Sequence, residues 1–335
     1  MSTLWEEPFT GWSPPWISWE GIREEVEREL QARILMTGPY GAGKSTLLNR
    51  LKGWEVSPVN IPAHPGIRVE DYGLFVILDL PEEEPAGFMA ETLGLLPVDP
   101  GTCGLLLFVV GGEEALSGGS LRWLSRLRRL TWPVRVILAQ ADRLKDHREE
   151  IRKEVERWTG IPTLALSARL DPDPGARVVP WLLQANPRLA VALGREFPAF
   201  RPYIMREMFR SAAALSALTG SIPVHFLDLP TQAAIHLRLA LRVAAMYDRL
   251  PPAGLGREEL ILMLTGLGLH YGAQRLALRL PLIGRWSAGL ISGLGLWAFG
   301  HLTDRYFAWS APAQRRSGNG WLEALQQWWR NLRRR

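Results

Sequence analysis

The chain has 335 residues, 37.6 kDa, of which 47% are hydrophobic and 22% charged, enough for two domains, each with its own core. That balance excludes disorder, collagen and coiled coil as whole-chain answers, and a mean hydropathy of -0.03 excludes a multi-span transporter. The formal charge of +5 hides an asymmetry: residues 1–197 carry 22 Lys+Arg against 27 Asp+Glu, and the remainder carries 17, all Arg, against 7.

At the N-terminus, MSTLWEEPFTGW is acidic and lacks a basic segment followed by an apolar one, so no cleavable signal is expected. Cys103 is the only cysteine. No internal disulfide can form, no His/Cys cluster has metal-ligand spacing, and a reducing cytoplasm is the expected compartment. Trp5, Trp12, Trp16 and Trp19 precede a helical stripe of Ile22, Val26 and Leu30, giving a Trp-rich N-terminal segment over 1–30.

Residues 33 to 37 (RILMT) form an apolar run that leads into GPYGAGKS, Gly38 to Ser45, followed by TLLNRL with helical spacing. This is G-x-x-x-x-G-K-[S/T] between a strand and a helix. Its glycines let backbone N–H groups wrap a phosphate. Lys44 reaches the outer phosphates and the Ser45 hydroxyl suits Mg²⁺. The nucleotide-binding candidates here are Gly38, Tyr40, Gly41, Ala42, Gly43, Lys44, Ser45 and Thr46. With only four lysines in the chain, a lysine at this place is a specific choice, because the wide fork of Arg does not replace a compact ammonium.

Further strands are predicted at 74–79, 103–110, 134–139 and 163–167, with helical patterns at about 120–130, 147–158 and 178–190. Continuous apolar runs alternating with helices point to a doubly wound, mostly parallel α/β sheet, with ligands gathering at the strands' carboxyl ends. The domain spans 31–195.

With these motifs in order, residues 31 to 190 resemble the Era-like (TrmE-Era type) bacterial GTPases, which are α/β P-loop NTPases. GPYGAGKSTLLNRL looks like their first motif, Asp79 in LDLPEEE like the aspartate of D-x-P-G, Asp142 in LAQADRL like that of N-K-x-D, and Ser167-Ala168-Arg169 like the base-binding loop. The resemblance implies that GTP or GDP binds with Mg²⁺ held by Ser45 and, through a water, Asp79. It implies that Lys44 and Asp79 serve hydrolysis, Asp142 accepts the two N–H groups of guanine, and the Ala168 N–H donates to its O6. The departures matter equally. Glu82 replaces the glycine of D-x-P-G and opens a run with Glu83 and Glu84; Ala139 and Gln140 replace the asparagine and lysine of N-K-x-D; and no threonine lies between Thr46 and Asp79, AHPGIRVED occupying the place of the switch segment. His64 and Arg68 are the candidates there for assisting hydrolysis, against a reading as solvated loop residues. A slow Mg²⁺-dependent GTPase, a degenerate nucleotide-binding scaffold and an ATP-using protein all remain open. The arginines of LRWLSRLRRL (Arg122, Arg126, Arg128, Arg129) read as a helix's outer face, and no nucleic-acid partner is expected.

From about 196 the composition turns to Ala, Leu, Gly and Arg and strand signals vanish, so 196–310 is expected to be all-helical. Trp286 to Thr303 is 18 residues without charge. Three readings stand open: core helices of a bundle, a re-entrant hairpin, and one true span. SIPVHFLDLPTQAAIHLRLALRVAAMYDRL, then LTGLGLHYGAQRLALRLPLIG and SAGLISGLGLWAFGHLTDRYF, give residues 205 to 308 a resemblance to the helical domain of YcjF-type inner-membrane proteins, which implies membrane association and no chemistry. His225, His236, His270 and His301 share no motif. In the tail, 311–335, Trp321, Leu322, Leu325, Trp328, Trp329 and Leu332 share a face, with Arg330, Arg333, Arg334 and Arg335 toward the other side and the end. That suits the inner face of an anionic membrane or packing on the protein itself. The expectation is a cytoplasmic protein held peripherally or partly inserted at the cytoplasmic membrane, with a homodimer or protein partner as a further expectation.

Overall fold

A computed structural model describes residues 19–53, 59–61, 69–80, 103–129, 132–220, 225–250, 261, 264–268, 271–272 and 284–310. The chain divides into two compact units, Arg28–Arg201 and a second that joins the chain up to Glu27 to the chain from Pro202.

The first unit is built on seven strands: β1 (Arg33–Pro39), β2 (Val59–Ile61), β3 (Val69–Tyr72), β4 (Phe75–Leu80), β5 (Cys103–Gly111), β6 (Val134–Ala139) and β7 (Thr163–Ala165). They lie in the order β2-β3-β4-β1-β5-β6-β7. β4, β1, β5, β6 and β7 are mutually parallel, while β2 and β3 extend the sheet antiparallel at one edge. The parallel strands are the apolar runs of the sequence, and they are buried on both faces. Alternate residues divide between two cores. Leu35, Val76, Phe108 and Leu138 face a cluster with Trp123 and Leu124 of the helix α3 (Gly118–Leu127) and Val155 of α4 (Arg148–Thr159). On the other side lie α2 (Lys44–Lys52), α5 (Pro174–Ala185) and α6 (Ala190–Glu196); there Phe75 meets Phe197 edge to face at 5.9 Å, and Leu189 packs where a side chain on Gly104 would stand.

β2 and β3 were not visible in the sequence as strands. VEDY carries two carboxylates in four residues. It joins the sheet because Val69, Glu70 and Tyr72 are all buried, the Glu70 carboxylate accepting from the Tyr72 hydroxyl at 2.8 Å. Asp71 faces the Arg33 guanidinium at 2.9 Å. The end of the segment expected to stand in for a switch is therefore sheet; its remainder, with His64 and Arg68, lies outside the described residues, as do Glu82, Glu83 and Glu84.

Among the described residues the second unit is entirely helical: most of α1 (Trp19–Leu30), then α7 (Arg201–Gly220), α8 (His225–Met246) and α9 (Gly284–Ser310). Ile22 and Val26 of α1 are buried, and Glu25 pairs with Arg238 and Arg242 of α8. Leu30, the third member of the expected stripe, is only half-buried, and Glu29 is buried beside it. α7 and α9 touch through small residues: a side chain on Gly293 would come within 2.9 Å of the Ala213 carbonyl, and one on Gly300 within 2.8 Å of the Phe209 ring. A polar knot sits between helices. The Ser216 hydroxyl donates to Gln232 Oε1 and meets Ser292 Oγ, both at 2.8 Å, and the Gln232 amide donates to Thr219 Oγ1 at 2.9 Å. His236 is buried, its Nδ1 2.7 Å from the Gln232 carbonyl, with its ring on Phe299. No helix among the described residues is long and apolar enough to cross a membrane. Trp5, Trp12, Trp16, His270 and the tail lie outside the described residues. The chain thus has an α/β P-loop NTPase fold with a mostly parallel, doubly wound sheet, followed by a region that is helical among the described residues.

Candidate functional site

β1, β4, β6 and β7 deliver the sequence-marked residues to one edge of the sheet, the carboxyl ends, where a doubly wound fold collects ligands. β1 and β4 run parallel in a register that sets Gly38 opposite Asp79. Gly38 has φ +151, and any Cβ there would stand 1.9 Å from the Val109 carbonyl of β5. Only glycine lets β1 turn into the loop so close to its neighbour.

From the first turn of α2, Lys44 folds back into this loop and is 4% exposed. Its ammonium donates to the carbonyls of Gly38 at 2.8 Å and Pro39 at 2.6 Å, and lies 2.7 Å from Asp79 Oδ1. All three donors of an ammonium are thereby matched. Burial pulls the Lys44 pKa below its usual value, opposed by the hydrogen bond and charge of Asp79 and by the charge of Glu70. An arriving polyanion would act in the same sense as Asp79, favouring the charged lysine. Ser45 and Thr46, next along α2, are exposed, Ala42 is buried, and Tyr40 is 80% exposed at the tip of the loop.

At the end of β6, Asp142 Oδ1 accepts from the Ser167 hydroxyl at 2.7 Å. That bond, ahead of the charges of Arg143 and Arg169, holds the Asp142 pKa below the ordinary carboxylate value, partly offset by burial. The aspartate therefore stays an acceptor at neutral pH. Ser167 is itself fixed: its N–H donates to Asp171 Oδ2 at 3.1 Å, and its hydroxyl oxygen accepts from the Leu170 N–H at 3.1 Å. Asp171 is in turn held by Arg177 at 3.2 Å and Arg148 at 3.5 Å. Ala168 is half-buried and Arg169 exposed on the same loop.

Two contributors were not marked from the sequence. Asp171 carries the Ser167 turn, and its signal is a carboxylate four residues after a serine, the spacing of a side chain that bonds a nearby backbone N–H. Gln140, read only as a departure, adopts φ +54 and donates from Nε2 to the Gly41 carbonyl at 3.1 Å. It ties the loop after β6 to the phosphate loop. Among the described residues no group of three or more His, Cys, Asp or Glu side chains could hold a metal. Ser45 and Asp79 offer a hydroxyl and a carboxylate at the phosphate loop, hard oxygen donors of the kind that suits Mg²⁺ completed by phosphate and water.

No family model matches the chain, and no curated protein does. Among solved structures the chain is similar to a probable GTP-binding protein EngB, with 19% identity and a TM-score of 0.34 over 46% of this chain and 98% of that one. It is also similar to the small COPII coat GTPase Sar1 from Encephalitozoon cuniculi in complex with GDP, with 17% identity and a TM-score of 0.34 over 50% and 86%. A variant of Era from Aquifex aeolicus bound to GDP and AlF4⁻ gives 17% and 0.35 over 55% and 66%. These likenesses are distant, and the fold class stands on the strand order and phosphate loop already described.

Proposed function

We infer that the first unit binds a guanine nucleotide with Mg²⁺ and that hydrolysis of GTP, where it occurs, is slow. The observation that carries this reading is the clustering, at one sheet edge, of the buried Lys44 and Asp79 in the phosphate loop with the Asp142–Ser167 pair. Lys44 and the loop's N–H groups, from Gly38 to Thr46, would take the phosphates, and Ser45 and Asp79 would hold the metal. An ionised Asp142 accepts and cannot donate, so it suits the adjacent N–H donors on guanine and repels the ring acceptor that adenine presents at the same edge. Ser167, Ala168 and Arg169 would close over the base. The metal supplies charge neutralisation at the phosphates; the chain's own residues bind and orient them. Binding is favoured over turnover because Lys44, Ser45 and Asp79 are present while no switch threonine lies between Thr46 and Asp79. The helical unit and the basic tail would couple nucleotide state to an anionic membrane surface.

The test is competition binding of GTP, GDP and ATP to the full chain with Mg²⁺. Guanine nucleotides should bind at least about tenfold tighter than ATP, the worth of one or two base hydrogen bonds. Lys44→Ala should abolish binding; unchanged affinity in that variant would refute the assignment of the phosphate loop. Phosphate release above that of Asp79→Ala, with and without anionic vesicles, separates a slow GTPase from a scaffold that only binds.

A further inference from the structure

The last turns of α7 and much of α9 are apolar on two faces: Leu296, Phe299 and Phe307 are buried, and a second apolar row is exposed. A helix in water turns its polar residues outward. Here Ser216, Ser292 and Thr303 are fully buried, while Leu290 and Leu294 are each 64% exposed, Leu218 is 68% exposed, and Leu215, Trp297, Leu302 and Trp309 are exposed as well. Leu290, Leu294 and Trp297 follow the i, i+4, i+7 spacing of one helix face, and no charge interrupts α9 between Leu290 and Leu302, a length of about 18 Å. Single exposed leucines mean nothing; a continuous row above buried hydroxyls marks a surface meant to leave water.

We propose that this face of α7 and α9 is a lipid-contact surface that lies in the headgroup and upper acyl layer of an anionic membrane without crossing it, an inference that rests on and localises the membrane part of the reading above. Charge selects the occupant. The α7–α9 contacts pair Gly293 with Ala213 and Gly300 with Phe209, so the helices run antiparallel. The exposed arginines Arg206 and Arg305, and Arg210 with its partner Glu207 at 3.8 Å, then fall at one end of the pair; Leu215, Leu218, Leu290 and Leu294 lie toward the other, where Arg285 stands in the first turn of α9. An apolar row flanked by arginines along α9 matches a helix lying in the membrane plane, with its leucines on acyl chains and its arginines at phosphates. Exposed Trp297 within the row and Trp309 beyond Arg305 suit the headgroup boundary. Residues 202–310 hold 10 Arg, no Lys and 6 acidic side chains, a net positive balance that favours an anionic surface over a second copy of the same segment. No helix among the described residues is long and apolar enough to span, which limits the contact to one leaflet.

The test is flotation of the full chain with phosphatidylglycerol–phosphatidylcholine vesicles, comparing wild type with the double variant Leu290→Glu, Leu294→Glu. Both positions are exposed, so the variant should fold, checked by its unchanged GTP affinity and thermal melting. We expect its partitioning to fall about tenfold or more, the effect of withdrawing two leucines from an apolar layer and adding charge. In a Cys103→Ser background, an environment-sensitive dye on Leu294→Cys should shift to the blue on adding vesicles, and one on Leu170→Cys of the first unit should not. Vesicle binding by the double variant equal to wild type, with no dye shift, would overturn this surface and leave membrane association to the tail. Failure of the wild type to bind vesicles at all would overturn the membrane reading itself, leaving nucleotide binding intact. A lipid-free dimer that Leu294→Glu dissociates would assign the face to a second copy instead.

Discussion

Lys44 and Gly38 depend on each other through a few ångströms of backbone. The ammonium needs the Gly38 and Pro39 carbonyls turned inward, and that turn needs a residue without a Cβ 1.9 Å from the Val109 carbonyl. Gly38→Ala should therefore cost about 3 kcal/mol or more, because the obstacle is rigid sheet backbone. Gly41→Ala, with φ +80 and nothing within 4 Å, should cost only about 1 kcal/mol from the left-handed conformation. Urea denaturation of the full chain compares the two, and equal costs would show that the loop shifts to accommodate Cβ. Asp142 yields a titration with a definite sign. Its pKa is depressed in the folded protein, first by the Ser167 hydroxyl, so the pair stabilises the fold above the unfolded value and that contribution is lost as pH falls through the depressed one. In Ser167→Ala the carboxyl resonance should titrate at higher pH than in wild type, toward 3.8, the value it departs from. A midpoint that stays where it was would mean that Arg143 and Arg169 hold the charge instead.

At the scale of elements, the parallel strands and the phosphate loop were legible because their burial is written as unbroken apolar runs and fixed glycine spacing. β2 and β3 were not. The four-residue strand β3, next to the sheet's edge, has its two carboxylates satisfied, one by Arg33 and one by Tyr72, and so has no hydrophobic signature to find. The candidates Lys44, Asp79, Asp142 and Ser167, which the sheet brings to one edge, were legible from motif order; Gln140 acts through the Gly41 carbonyl, which leaves no trace in the sequence, and Asp171 leaves only its spacing from Ser167. The glycines of α9 were visible, but periodicity could not say that they admit α7 or that Ser292 faces inward. The Ser216–Gln232–Ser292 knot yields a prediction at this scale. Ser216→Ala should destabilise by about 1 to 3 kcal/mol, because it strips a partner from Gln232 Oε1 and from the Ser292 hydroxyl in a buried place. Adding Gln232→Leu should cost less than the two single changes summed, since both ends of one bond are then gone; strict additivity in the double-mutant cycle would show that the two side chains are not coupled.

For the whole molecule, the division of charge sets how a membrane would be met. Residues 1–197 are net negative and the remainder is net positive by 10, so an anionic bilayer repels the first part of the chain and attracts the second. The two contributions to affinity separate by salt. Attraction over a distance fades as the Debye length drops from about 10 Å at 0.1 M to about 3 Å at 1 M, whereas burial of Leu290, Leu294 and Trp297 does not weaken with ionic strength. Partitioning onto anionic vesicles should therefore fall with added sodium chloride to a plateau above zero, and a charge-neutral Leu290→Gln, Leu294→Gln variant should keep the same initial slope but lose the plateau. A wild-type curve that falls to nothing would mean that charge alone holds the protein at the surface, with the leucines outside the bilayer.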